Sequence, residues 1–433
     1  MRRGVPAALH SYVGKIRSFS TNAKLFLLSS ALGSVQSGIF QVVLALYVVA
    51  LGHARDFLGV MTGFGALVTG IVSLPAAAVA RATGHRKALL AGAALSALGA
   101  LGIAVSSSRD VLLLFEACLG AGTAFTFVNT APFLAENSGD AERAYLFSVN
   151  STMLLAVAVV GNSLGGVLPD IFGGLAPGWN PSGMAPLRAT MMVGVVFVAA
   201  SAAPLMALKE WSSREVREDA SRLPDGSRSR TKAYLVVMGR FVTTSVVTSL
   251  GAGLMIPFLP VFLADKGASP PVIGLVFAGS MVMTMAGTLV APLLAERWGS
   301  VKTVVVTQIA SVPFLVAMAL AQDIEVIVPA MLLRSALMNM SGPVDSSFSM
   351  EAVSARDRAI LSSLRGMAWN LSWAGGSVAG GIMIERFGYA VPFLMTATLY
   401  LASAIMYVLF FSKLELRQSR MAGDYPRPRS VGR

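Results

Sequence analysis

Twelve apolar runs, each about as long as a bilayer is thick, divide this chain between short charged or Gly/Pro-rich breaks, and they leave it few folds to choose from. A hydrocarbon core about 30 Å thick needs roughly 20 residues of helix. Runs of that order lie at 25–51, 57–80, 88–106, 111–135, 145–168, 189–208, 233–263, 272–295, 303–320, 325–348, 359–384 and 390–411. They are continuous rather than alternating, so they suit helices, which satisfy their backbone polar groups internally, and not a membrane barrel. Only 13% of the 433 residues are charged, against about 25% in a soluble domain, and the mean hydropathy is +0.69. The expectation is an all-α membrane protein with twelve transmembrane helices.

The formal charge of +12 raises the question of a nucleic-acid partner, and the placement of the cations answers it. With both termini cytoplasmic, about 26 Lys and Arg fall inside: in the N-terminal tail, near Arg86 and Arg143, at 209–232, 297–302 and 356–358, and in the C-terminal tail. About five fall outside, namely Arg55, Arg109, Arg188, Lys266 and Arg386. Positive charge held inside orients a multi-pass protein of the inner (plasma) membrane, and no nucleic acid is needed to explain the basic balance. The run 25–51 exceeds a signal-peptide core and has no small-residue cleavage site behind it, so it reads as a retained first span.

The segment 209–232 is dense in Arg, Glu, Asp and Ser and divides the spans six and six. A constant shift of 215 positions superimposes the two sets from the first span to the end of the fifth, pairing Ser34 with Ser249, Gly38 with Gly253, Gly52 with Gly267, Gly59 with Gly274, Gly84 with Gly299, Glu136 with Glu351, Arg143 with Arg358 and Gly161 with Gly376. That is a tandem duplication with both copies inserted in the same sense. The expected organisation is a cytoplasmic tail at 1–24, six-helix bundles at 25–208 and 233–412, a cytoplasmic linker at 209–232, and a disordered cytoplasmic tail at 413–433. The single cysteine, Cys118, sits inside a run and reads as helix packing.

At the cytoplasmic end of the eighth run the chain reads Leu-Leu-Ala-Glu296-Arg297-Trp298-Gly299-Ser-Val-Lys302, and the first-half copy is Ala80-Arg81-Ala82-Thr83-Gly84-His85-Arg86-Lys87. This resembles the signature loop of the major facilitator superfamily, Leu-Ala-Asp-Arg-x-Gly-Arg-Arg, with Arg81 standing where the family has its acid. Span count, repeat, linker and loop agree with that family over the whole chain. The resemblance implies two six-helix bundles related by a pseudo-two-fold axis, and a charge pair at Gly84, Arg86, Glu296, Arg297, Gly299 and Lys302 that holds the cytoplasm-closed state. Gly161-Asn162-Ser163-Leu164-Gly165-Gly166 resembles the family's antiporter motif with Asn162 in place of proline, and Gly376, Gly380 and Gly381 repeat it; glycines so spaced let another helix approach closely. Glu116-Ala-Cys-Leu-Gly120-Ala-Gly122 keeps the spacing of the family's Arg-x-x-x-Gly-x-Gly pattern with the charge reversed, so the role of that arginine does not carry over.

An ionisable side chain at membrane depth costs at least about 2.5 kcal/mol and marks a functional candidate. Within the runs lie Glu116, Arg240, Arg334, Asp345 and Arg365. Depth alone suggests an outer pair of Glu116 with Arg334 and an inner pair of Arg240 with Asp345, with Arg365 a rival for Asp345. These are salt bridges or snorkelling arginines on one reading, and on the other Glu116 or Asp345 takes up a proton during a cycle. Gln36, Gln41, Asn129, Asn339 and Asn370 add polar groups to the spans, and Trp369 and Trp373 offer stacking surfaces.

The leading expectation is a secondary transporter moving a small organic molecule by alternating access, as proton-coupled efflux, acting as a monomer with lipid, substrate and protons as its partners and no cofactor or metal. An importer or uniporter of a small, anionic metabolite is the alternative, as is a non-transporting sensor or scaffold. The three histidines, His10, His53 and His85, lie in tail or loops with no metal-ligand spacing, and no Walker-type loop occurs, so neither an enzyme nor a direct ATP drive is expected.

Overall fold

The computed structural model describes residues 19–175, 183–209, 231–354 and 357–423. Most of the expected N-terminal tail, nearly all of the linker and Arg356 lie outside these residues. The described chain is helical throughout: α1 Thr21–Ala50, α2 Arg55–Thr83, α3 His85–Val105, α4 Arg109–Glu136, α5 Asp140–Leu175 and α6 Met184–Ala200 form the first half. The second half holds α7 Thr231–Met255, α8 Pro270–Trp298, α9 Ser300–Leu320, α10 Ile324–Glu351, α11 Arg358–Phe387 and α12 Ala390–Gly423. A short helix, Ala202–Met206, prolongs α6, and a 3-10 turn with the helix Leu259–Asp265 prolongs α7.

Among the described residues, eleven helical segments are long and apolar enough to cross a membrane, one fewer than expected. The exception is α11. At 30 residues it is as long as the others, but Ser362, Ser363, Arg365, Asn370 and its many glycines lower its apolar content. The reason is its place: α11 packs on α2 and lines a polar cavity. A second correction concerns the C-terminal tail, expected to be disordered from Lys413. Helix α12 continues to Gly423, and Leu414 joins the second-half core while Glu415 accepts a hydrogen bond from Val301 N–H at 3.1 Å, capping α9.

The helix ends follow local rules. The Ser20 side chain accepts from Ala23 N–H at 3.1 Å and opens α1. A single residue separates α2 from α3 and another separates α8 from α9. These are Gly84 and Gly299, at φ of 91° and 86°, a region open to glycine. They stand 215 positions apart, so the duplication is legible in the backbone.

The end of the bundle that carries the Gly84 and Gly299 turns, with the first residue of α1 and the last of α12, is termed the loop end; the opposite end, with Gly52, Gly267 and Gly388, is the far end. At the far end one apolar core joins both halves, with Ile39, Tyr47, Leu58 and Met61 packed with Phe258, Phe262, Ile273 and Tyr400. At the loop end the cores are separate, one around Phe26, Leu89 and Phe133 and the other around Phe241, Phe348 and Phe411. Two glycine-lined seams carry the halves against each other. Gly166 of α5 meets Gly274 of α8, and Gly59 and Gly63 of α2 meet the α11 backbone at Ser377 and Ala374.

Candidate functional site

A cavity of about 200 Å³ lies within the second half, lined by α7, α9, α10, α11 and α12. Its polar lining includes Thr244, Thr248, Gln308, Arg334, Asp345 and Arg365. Asn339, Gly342 and Trp369 are exposed and mark its mouth, while Arg334 and Gln308 are buried.

The structure sorts the membrane-depth charges differently from depth alone. Asp345 pairs with Arg365, the rival partner, and accepts from the Tyr407 hydroxyl at 2.8 Å. Arg365 also donates to Ser349 Oγ at 2.8 Å and Ser245 Oγ at 3.1 Å, so this pair is knitted into the walls of the cavity. Arg240 is not part of it. It is exposed, donates to the Phe410 carbonyl at 3.3 Å and lies 5.5 Å from that ring's centre. The Arg240 side chain instead reaches α12, at Phe410.

Glu116 and Arg334 do not meet either, because each points into its own half. The Glu116 carboxyl is buried against Gly65 of α2, in a space that any side chain at Gly65 would occupy, and its Oε2 has no hydrogen-bond partner. Arg334 faces the Tyr400 hydroxyl of α12 and its Nε is unpartnered. Among the described residues, no carboxylate lies within ion-pair distance of Arg334.

The other candidates are scattered. Asn339 donates to the Ser335 carbonyl at 2.8 Å at the cavity mouth, Asn370 donates to the Gly366 carbonyl at 2.9 Å with its Cβ beside the α2 seam at Gly70, and Gln36 is buried on α1. Gly161 and Gly165 admit the α1 backbone at Val35 and Ile39, and Gly376 and Gly380 admit α7 at Leu250 and Leu254. Gly381 abuts Arg55 and Asp56 of the other half. At the loops, Glu296 and Arg297 are exposed, and the carboxylate beside Gly299 is that of Glu415 instead. Lys302 lies 6.0 Å from the Trp298 ring centre. Arg86 donates to the Met206 carbonyl at 2.7 Å, and His85 bridges Asn129 and Glu136 at 2.9 and 3.2 Å.

One cluster escaped the sequence reading. At the far end Arg55 of α2 pairs with Asp265 at 2.6 Å, donates through Nε to Tyr389 at 3.1 Å, and donates through its backbone N–H to Glu385 at 3.2 Å. The Tyr389 hydroxyl donates to Asp265 at 2.6 Å, and burial pushes that hydroxyl above the usual tyrosine range. This latch ties the first half to the second. Its one sequence signal was that Arg55 is among the few cations of the outer connections.

Compared with known proteins, the chain matches the family model described as Major Facilitator Superfamily twice, over residues 26–244 and 241–430. No curated protein matches. Among solved structures, a bacterial homolog of the human lysosomal transporter Spinster, in an inward-facing and unoccupied conformation, is 15% identical with a TM-score of 0.68, over 94% of this chain and 98% of that one. The D-xylose-proton symporter is 15% identical with a TM-score of 0.70, over 92% and 98%, and the nucleoside transporter NupG is 13% identical with a TM-score of 0.70, over 91% and 100%. These identities speak for the fold alone, whereas two family matches that cover both repeated halves speak for descent: the chain belongs to the Major Facilitator Superfamily and is a secondary transporter, not an enzyme.

Proposed function

We propose that this protein moves a small organic molecule across the inner (plasma) membrane by alternating access, as a monomer with both termini cytoplasmic, and that it runs as proton-coupled efflux. The observation that carries the alternating-access reading is the contrast between the two ends. The far end holds one shared core and the Arg55 latch, while the loop end holds two separate cores. Such an arrangement suits a molecule closed on the outside and open to the cytoplasm, with the halves rocking about the two glycine seams. The crowding of cations at the loop end supports the orientation. Among the described residues no ion pair joins Glu296 to its neighbouring cations, which agrees with a loop whose charges engage when the cytoplasmic side closes.

Glu116 is the proposed proton carrier. Its carboxyl sits between α2 and α4 with one oxygen unpartnered, so binding or losing a proton there changes the charge of a helix interface by one unit. The antiporter-like glycine motif on α5 supports export. The reading is tested in proteoliposomes carrying a pH dye, with an imposed proton gradient and a panel of small organic anions and neutral polyols. Solute-dependent proton entry is expected in the native protein and its loss in Glu116→Gln, with solute exchange at zero gradient retained. If the variant couples protons normally, Glu116 is not the carrier.

A further inference from the structure

We infer that the cavity inside the second half is the substrate site and that it takes a small organic monoanion bearing a hydrogen-bond donor, anchored by Arg334. This rests on the transporter reading above and names its substrate class.

The charges on the cavity wall do not balance. Asp345 and Arg365 satisfy each other, which leaves Arg334 as the remaining cation, 4% exposed, with Nε unpartnered and a neutral tyrosine hydroxyl as its neighbour. A guanidinium buried without an acid is costly. Its fork of donors is shaped to receive a carboxylate or sulfonate, and such an anion supplies the missing charge. Gln308, 5% exposed on the same wall, has an unpartnered Oε1, which accepts from a hydroxyl or amine elsewhere on the ligand. Thr248 and Ser403, 2.8 Å apart, add hydroxyls, and Trp369 at the mouth adds an aromatic face.

The duplication provides an internal control. At the positions 215 earlier, Arg334 is matched by Leu119, Gln308 by Ala93, Asn339 by Ala124 and Trp369 by Leu154. The fold therefore does not require this polarity, because its first copy does without it. The polar set is a property of one half, grouped around one cavity.

The test uses the full-length protein purified in detergent and read by thermal unfolding and by titration. The probes are gluconate, lactate and 4-hydroxybenzenesulfonate, set against the neutral counterparts sorbitol, 1,2-propanediol and 4-hydroxybenzenesulfonamide. At least one anion is expected to stabilise the protein, with its neutral counterpart at least about tenfold weaker, the scale of one charge-assisted contact. Arg334→Gln should weaken that anion at least about tenfold, and Arg334→Lys should restore part of the loss. Should Arg334→Gln not survive extraction, Gln308→Glu places a negative charge on the same wall and should expel the anion by a similar factor. The inference is overturned if no anion of the panel stabilises the protein, if neutral compounds do so equally, or if both substitutions leave anion binding intact. Flux distinguishes the two readings. An anion that binds and is moved without protons sinks the proton-coupled reading and leaves the site standing, while transport of neutral solutes alone sinks the site and leaves the transporter.

Discussion

Gly166 of the first half and Gly274 of the second face each other so closely that a methyl group added to Gly166 would lie 2.7 Å from the partner's Cα. Side chains essentially never pack at that distance, so the two backbones touch where the halves meet.

Gly166→Ala should therefore disfavour this conformer by about 1–3 kcal/mol, the usual cost of overpacking. Spin labels placed on the far-end loops, read by pulsed electron resonance, should report a broader or longer distance distribution. Gly174→Ala on the same helix meets open space, and it should leave the distribution unchanged. An unaltered distribution in Gly166→Ala would show that the seam does not set the conformer.

The Arg55 latch should be worth little per contact, since its ion-pair side chains are 32% and 37% exposed. A double-mutant cycle of Arg55→Ala with Asp265→Ala is expected to give a coupling of about 1 kcal/mol or less. Both single variants should raise labelling of cysteines placed just beneath the latch. A coupling near zero with unchanged labelling would remove the latch from the gate.

Asp345→Asn leaves Arg365 with hydroxyl partners and no counter-charge, and a loss of about 3 kcal/mol in unfolding free energy is expected. The double variant Asp345→Asn with Arg365→Gln should lose less than the two single changes added together. Strict additivity would mean that the pair does not act as one unit.

Glu415→Ala removes the acceptor for Val301 N–H at the start of α9. The expected cost is about 1 kcal/mol, typical of a lost cap. Hydrogen exchange at 300–303 should quicken while the middle of α9 stays protected; unchanged exchange there would deny the cap its role.

How far the chain could be read in advance varies with the kind of question. Apolar length and the 215-residue shift are properties of lipid solubility and of duplication, and both survive without coordinates. Helix α11 shows where that reasoning ends: its existence was legible, but its turned face, set against α2 and a polar cavity, lowered the apolar signal that defines a lipid-facing span. The pairing of charges failed for a related reason. Depth along a helix is readable, but direction around the axis changes by about 100° per residue, so Arg240 and Arg365 looked equivalent as partners of Asp345. The latch draws Arg55, Asp265, Glu385 and Tyr389 from separate stretches of chain, and no local spacing links them. Glu415 was hidden because an end rich in charge reads as a tail.

The one-sided cavity has a mechanical corollary. A molecule seated among α7, α9, α10, α11 and α12 travels as a passenger of a single rigid body, so its grip need not loosen while the doorway swings from one compartment to the other. The empty-handed copy is then free to serve as the counterweight against which the loaded one tilts.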